Sequence, residues 1–220
     1  VNPDRNEQMR NINADTDWDT LLPTHSTFQL LYQLQIIQSI VAPSGLQSEK
    51  SSEESEKWCQ NFDKGFNKLL TIFESYQTQI TGPFSSKCLA TLLNIVNILM
   101  LTAKETEDAT IRYVLKDDLQ DSVNFSALIQ QLLNVIWDSA KESDGDNTED
   151  GIVRYAGSLL VAILFSSPDL LPVLFDFEHL KEFVQCAKKW QLESVSYVWS
   201  SLALSKRQNL IHALASYLYC

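Results

Sequence analysis

Basic residues are scarce in this sequence. Seventeen lysines and arginines stand against 28 aspartates and glutamates, a formal net charge of -11 over 220 residues. That deficit excludes a nucleic-acid footprint, because holding phosphates needs a clustered excess of Lys and Arg. Long apolar runs are missing as well: the greasiest stretches, LATLLNIVNILML and GSLLVAILF, fall short of the about eighteen residues needed to span a bilayer. No signal-peptide pattern of charged start, apolar run and small-residue cleavage site is present. Starting at Val1 instead of Met, the chain is expected to be a piece of a longer one.

Groups that carry chemistry are thinly spread. His25, His179 and His212 are too scattered for a ligand set, and no CxxC or HxxxH spacing supports zinc. Cys59, Cys88, Cys186 and Cys220 lie far apart, the first three within helical patterns, which favours reduced thiols in a cytoplasmic or nuclear setting. Cys186 has Lys188 and Lys189 close by but no sequence-adjacent His, so no thiol nucleophile is expected. The string DGDNTEDG invites a calcium reading and fails it. A loop begun at Asp144 puts Glu149 where the turn glycine belongs, and one begun at Asp146 ends at Gly157 instead of a bidentate Glu. The phosphate-cradling GxxxxGK[ST] and GxGxxG patterns and the GxSxG nucleophile turn are also absent. No catalytic residue, metal or cofactor is expected.

What the chain does contain is apolar residues at helical spacing, with 45% hydrophobic content. Residues 1–22 are polar without periodicity and read as a flexible tail pinned by Trp18. Phe28, Leu31, Leu34, Ile37, Ile40 and Val41 then define one face of a helix. Residues 43–55 have little apolar content and read as a mobile acidic and serine-rich linker, with Ser51 and Ser52 beside Glu53 and Glu54 as acceptors for an acidophilic kinase.

From Glu56 a pattern recurs. Phe66, Leu69 and Phe73 form a stripe repeated as Phe125, Leu128, Leu132 and as Phe177, Leu180, Val184. Each stripe follows a short helical piece (SEKWCQNF, DATIRYVLK, PDLLPVLF) and precedes a long apolar one. No run shows the period-two alternation expected of a strand. The predicted fold is therefore all-α, with residues 23–220 forming an armadillo/HEAT-like right-handed superhelical array of about three helical triplets. Gly65 is expected just past a helix ending near Lys64, where a left-handed backbone reverses the chain.

The helix FQLLYQLQIIQSIV, a linker, and then W-x-x-x-F-x-x-G-F-x-x-L-x-x-I-F resemble the helical flank of the giant ubiquitin-specific proteases of the fat-facets type. The matching residues are Tyr32, Leu34, Ile36, Trp58, Phe62, Gly65, Phe66, Leu69 and Phe73. The likeness is sharpest over residues 28 to 75 and only architectural beyond. It implies a non-catalytic segment that recruits substrates or ubiquitin to a deubiquitinating cysteine protease. The family's Gly-x-x-Cys-Tyr and His-x-Gly boxes are missing from this chain. An armadillo-like scaffold or adaptor of unrelated parentage, such as a ubiquitin-ligase flank, is the alternative. In either case protein partners are expected on a concave groove, and Tyr155, Lys181, Lys188, Tyr197 and Trp199 are the candidate contact residues.

Overall fold

The computed structural model describes residues 3–13, 15–42, 58–59, 62–76, 80–105, 111–116, 123–142, 151–170 and 172–173. These are mostly helical. Seven α-helices run in order: α1 (Pro3–Arg10), α2 (Trp18–Leu21), α3 (Thr27–Val41), α4 (Asp63–Glu74), α5 (Ser85–Met100), α6 (Phe125–Glu142) and α7 (Ile152–Ser166). Strands β1 (Leu101–Glu105) and β2 (Ile111–Leu115) lie between α5 and α6, and a 3-10 turn (Pro168–Leu170) follows α7. The chain divides into two compact units, residues 1–99 and 100–220. The linker 43–55 and the third Phe stripe lie outside the described residues.

In the first unit the stretch expected as a tail carries two helices. Pro3 opens α1, a first helical position that suits its fixed φ and missing N–H. Met9 and Ile12 bury themselves as α1 packs on α3, and Trp18, Leu21 and Leu22 do the same around α2. One anchor per turn leaves no period to read, which is why the sequence looked structureless here. Asp17 starts α2: its carboxylate accepts from the backbone N–H groups of Asp19 (3.1 Å) and Thr20 (3.3 Å) and from the Thr20 hydroxyl (2.6 Å). Those bonds, the Thr20 hydroxyl first, hold its carboxyl below the ordinary value of 3.8. Lys68 of α4 pairs with Asp19, an exposed carboxylate, and so ties α4 to α2 at the surface.

Gly65 does not sit where expected. It lies inside α4, buried, and not at a left-handed helix end. Its role is steric. Phe62 is stacked on Trp58 (ring centroids 4.5 Å apart, 25° between planes) and meets the edge of Trp18 (4.9 Å, 78°). A Cβ at residue 65 would come within 2.7 Å of Trp18 Cζ2 and 2.5 Å of Phe62 Cδ2. Phe62 and Trp18 are themselves buried, so neither ring has room to retreat. Trp58 fastens the cluster from the far side by donating its indole N–H to the Met9 carbonyl at 2.7 Å.

The second Phe stripe is a buried helix face as expected, Phe125, Leu128 and Leu132 in α6; of the first, Leu69 and Phe73 are buried in α4 while Phe66 is only half-buried. The second unit is built on α6 packed against α7, with β2 also lying on α7. Asn124 caps α6, its Oδ1 accepting from the Ala127 N–H at 3.2 Å. The strands correct the expectation of a chain without sheet. DATIRYVLK, predicted as a short helix, contributes β2, which pairs antiparallel with β1 in the register Leu101↔Leu115 to Glu105↔Ile111. Ile111, Tyr113 and Val114 have the β-branched and aromatic character that suits a strand. The hairpin is closed by Lys116 N–H on the Met100 carbonyl (2.9 Å) and joined to α7 by Leu115 N–H on Ser166 Oγ (3.4 Å).

Two outcomes follow. Replacing a helical glycine by alanine ordinarily favours the helix by about 0.5–1 kcal/mol, but here the added methyl overpacks a closed aromatic cluster. Gly65→Ala is expected to destabilise the first unit by about 1–3 kcal/mol in denaturant titration, and by much less in a Phe62→Leu background. For Asp17, a folded-state pKa below 3.8 means that the ionised cap stabilises above that pH, and the stabilisation is lost as pH falls through the folded value. The stability gap between the native chain and Asp17→Asn should therefore close on acidification.

Candidate functional site

Among the described residues, Phe28 and Phe84 are the large apolar side chains left exposed, at 59% and 42% of their surface. They touch: their rings meet edge-on with centroids 6.2 Å apart. A single exposed Phe is unremarkable on a protein surface, whereas a pair in contact is a patch with a defined shape.

The backbone beneath the pair is fixed by three features. Ser26 caps α3, its Oγ accepting from Gln29 N–H at 3.4 Å, so Phe28 leaves from the first turn of a well-started helix. The Thr27 hydroxyl donates to the Thr81 carbonyl at 2.8 Å, clamping that turn to the segment leading into α5. Gly82 then takes φ of +111°, a conformation closed to most side chains, and its carbonyl accepts from Ser85 N–H at 3.1 Å. This turn lifts Phe84 to the start of α5.

Cys88, one turn into α5, adds the third tie. Its thiol donates to the Thr27 carbonyl at 3.3 Å. Burial pushes this thiol up to about 11, only partly offset by a backbone hydrogen bond from Leu31, so it stays a protonated donor at neutral pH. Cys88 is a structural bolt under the aromatic pair. Cys88 and Cys59 are both free of disulfides.

Sequence reading placed Phe28 on the buried face of α3, and the structure corrects that. The buried face is Leu30, Leu31, Gln33, Leu34 and Ile37, which turns Phe28 outward. Of the five candidate contact residues only Tyr155 is described. It lies half-buried in the first turn of α7, with its ring packed over Gly151 and its N–H on the Gly151 carbonyl at 2.8 Å. It belongs to the second unit and braces the entry to that helix. Lys181, Lys188, Tyr197 and Trp199 lie outside the described residues.

A concavity elsewhere in the first unit, about 670 Å³, is lined by Glu7, Asn11, Asn13, Asp15, Asp17 and Thr20 among others. Much of its polar lining is already engaged locally. Asn13 Oδ1 accepts from Asp15 N–H at 2.9 Å, Thr16 Oγ1 accepts from Asn13 N–H at 2.8 Å, and Asp17 is the cap of α2. Among the described residues no group of three or more His, Cys, Asp or Glu is placed to hold a metal, and no helix is long and apolar enough to cross a membrane.

Comparison of the chain with protein-family models, with curated proteins and with solved structures finds no match. The function must therefore be argued from the site itself.

An exposed pair that the fold does not need should be replaceable. Phe28→Ser and Phe84→Ser are each expected to change stability by no more than about 0.5 kcal/mol, against about 3–5 kcal/mol for Phe73→Ala in the core. Thermal and denaturant unfolding of the three variants checks the contrast.

Proposed function

We propose that this chain is a non-catalytic protein-interaction segment whose contact surface includes Phe28 and Phe84. The observation that carries the reading is an exposed aromatic pair held on a rigid helical frame. The backbone that carries the two rings is tied at Thr27, Gly82 and Cys88, so less freedom is lost when a partner covers them, and a few well-placed anchors dominate binding energy at protein interfaces.

The parentage follows from the resemblance over residues 28 to 75. On that reading the chain flanks the catalytic domain of a giant ubiquitin-specific protease, recruits substrates or ubiquitin to it, and works in the cytoplasm or nucleus. Its helical triplets stack in an armadillo-like superhelix. The packing of Gly65 against Phe62 and Trp18 gives the W-x-x-x-F-x-x-G core of that resemblance a physical basis, since each of those positions is constrained by the others. The second reading is a scaffold or adaptor of other parentage, favoured by the β1–β2 hairpin standing where a helical triplet would have its short helix.

The purified chain should release no fluorophore from a ubiquitin C-terminal fluorogenic substrate, and should bind polyubiquitin in a way that the double variant Phe28→Ser/Phe84→Ser weakens at least about tenfold. Turnover by the chain overturns the non-catalytic assignment. Polyubiquitin binding indifferent to the double variant removes the aromatic pair from the interface, and no polyubiquitin binding at all moves the assignment to the adaptor reading.

A further inference from the structure

The β1–β2 hairpin of the second unit has one unfinished edge. In an antiparallel pair, opposed residues that exchange main-chain hydrogen bonds alternate with opposed residues that do not. The Lys116 N–H on the Met100 carbonyl sets the phase of this alternation. In the register Leu101↔Leu115 to Glu105↔Ile111, Thr102 therefore bonds to Val114 and Lys104 to Arg112, and the N–H and C=O of Ala103 and Glu105 point away from β2. The opposite edge has the same phase: the Leu115 N–H, which points away from β1, goes to Ser166 Oγ of α7. So β2 leans on a helix, whereas no described element other than β2 runs along β1. Among the described residues, the outward groups of Ala103 and Glu105 form no further main-chain hydrogen bond. Neither a bulge nor a proline interrupts the strand.

We propose that the outer edge of β1 takes an extended segment of a partner protein as a third strand. The groups on offer select this occupant. A free N–H and C=O at Ala103 and again at Glu105 repeat at about 6.6 Å along the strand, and what matches both at that spacing is another main chain in the β conformation. A helical segment has already spent its own N–H and C=O groups internally. A second copy of this chain could offer its own β1, but two folded bodies meeting along five residues bury far less than the roughly 1,200 Å² of a stable dimer. A slender extended segment needs only the edge. Because a two-stranded hairpin is marginal by itself, a third strand also strengthens the sheet that receives it: the bonds between β1 and β2 become interior bonds of a wider ladder. The inference goes beyond the aromatic pair, which belongs to the first unit, and adds a contact made through the main chain.

The test selects a random twelve-residue phage-displayed peptide library on the 220-residue chain and follows the enriched peptides by anisotropy titration and amide hydrogen exchange. In the free chain the Thr102 and Lys104 amides should exchange slowly and those of Ala103 and Glu105 fast; a bound peptide should slow the latter two. Ala103→Pro removes an outward N–H without removing a β1–β2 bond, a change that edge strands tolerate. It should weaken the peptides at least tenfold, while Phe28→Ser/Phe84→Ser leaves their affinity unchanged. Circular dichroism checks that Ala103→Pro folds; if it does not, the exchange pattern of the native chain decides alone. No enrichment, peptides that leave the Ala103 and Glu105 amides unprotected, or affinity indifferent to a folded Ala103→Pro overturns the third strand. Peptides lost with Phe28→Ser/Phe84→Ser but not with Ala103→Pro support the aromatic pair and overturn the edge alone. Protection of Ala103 and Glu105 that grows with chain concentration in the absence of peptide assigns the edge to a second copy and overturns the choice of partner.

Discussion

The first unit depends on a shared volume. Phe62 fills the space between Trp18 and Trp58, and that space exists only because residue 65 has no side chain. Once the three rings are in place, much of the rest is decided. Trp18 is held where α2 begins, α4 runs past it with Leu69 and Phe73 turned inward, and the Trp58 indole reaches the Met9 carbonyl and draws in the end of α1. An indole N–H buried without an acceptor is costly, so this hydrogen bond fixes orientation as much as it adds stability. Aromatic area supplies the driving force and Gly65 supplies the geometry.

The same unit shows how a surface feature can be prepared by ties in the backbone beneath it. Cys88 is buried deeply enough to stay protonated, and a protonated thiol can donate to the Thr27 carbonyl. Thr27 in turn spends its hydroxyl on Thr81, and Gly82 supplies a backbone angle that few other residues tolerate. Of these groups only Cys88 is buried, while Thr81 and Gly82 lie at the surface. Their joint effect is to hold Phe28 and Phe84 in contact on the outside, where burial would have been the default for both.

The parts legible in the sequence are those where one residue type repeats at a helical interval. The stripes Phe66, Leu69, Phe73 and Phe125, Leu128, Leu132 emerged as helix faces because Asn67, Lys68, Thr71 and Ser126, Gln130, Gln131 mark the opposite side. Helix α3 was found but its orientation was not: Phe28, Leu30, Leu31, Leu34, Ile36 and Ile37 are apolar around most of the circumference, so more than one face satisfies the same spacing. The hairpin was hidden for a related reason. The apolar run of α5 continues through Met100 into Leu101 without a Gly or Pro to mark the change, and five-residue strands are too short to show alternation against that background. Among the described side chains of helix α1, Met9 is the buried anchor in a polar octet. Gly65 was singled out correctly but for the wrong cause, since a glycine admitted for its lack of volume and one admitted for its backbone angle look alike in one dimension. The exposed pair left no motif, because Phe28 sits at the start of an apolar helix and Phe84 at the start of another, where an aromatic residue reads as core.

The ties that complete the first unit are all distant in sequence: 49 residues separate Trp58 from Met9, 54 separate Thr27 from Thr81, and 61 separate Cys88 from Thr27. During synthesis on the ribosome, α1, α2 and α3 emerge before Trp58, Thr81 and Cys88, the later groups that tie them down. Leu30, Leu34 and Ile37, all sealed in the finished unit, then spend the time needed to make some fifty further residues facing water. At about 5–20 residues per second, that is a wait of seconds, longer than a helix needs to form or an apolar surface needs to find a wrong neighbour. The nascent chain therefore has a built-in interval in which holdase chaperones have something to grip, and it ends when α5 leaves the exit tunnel.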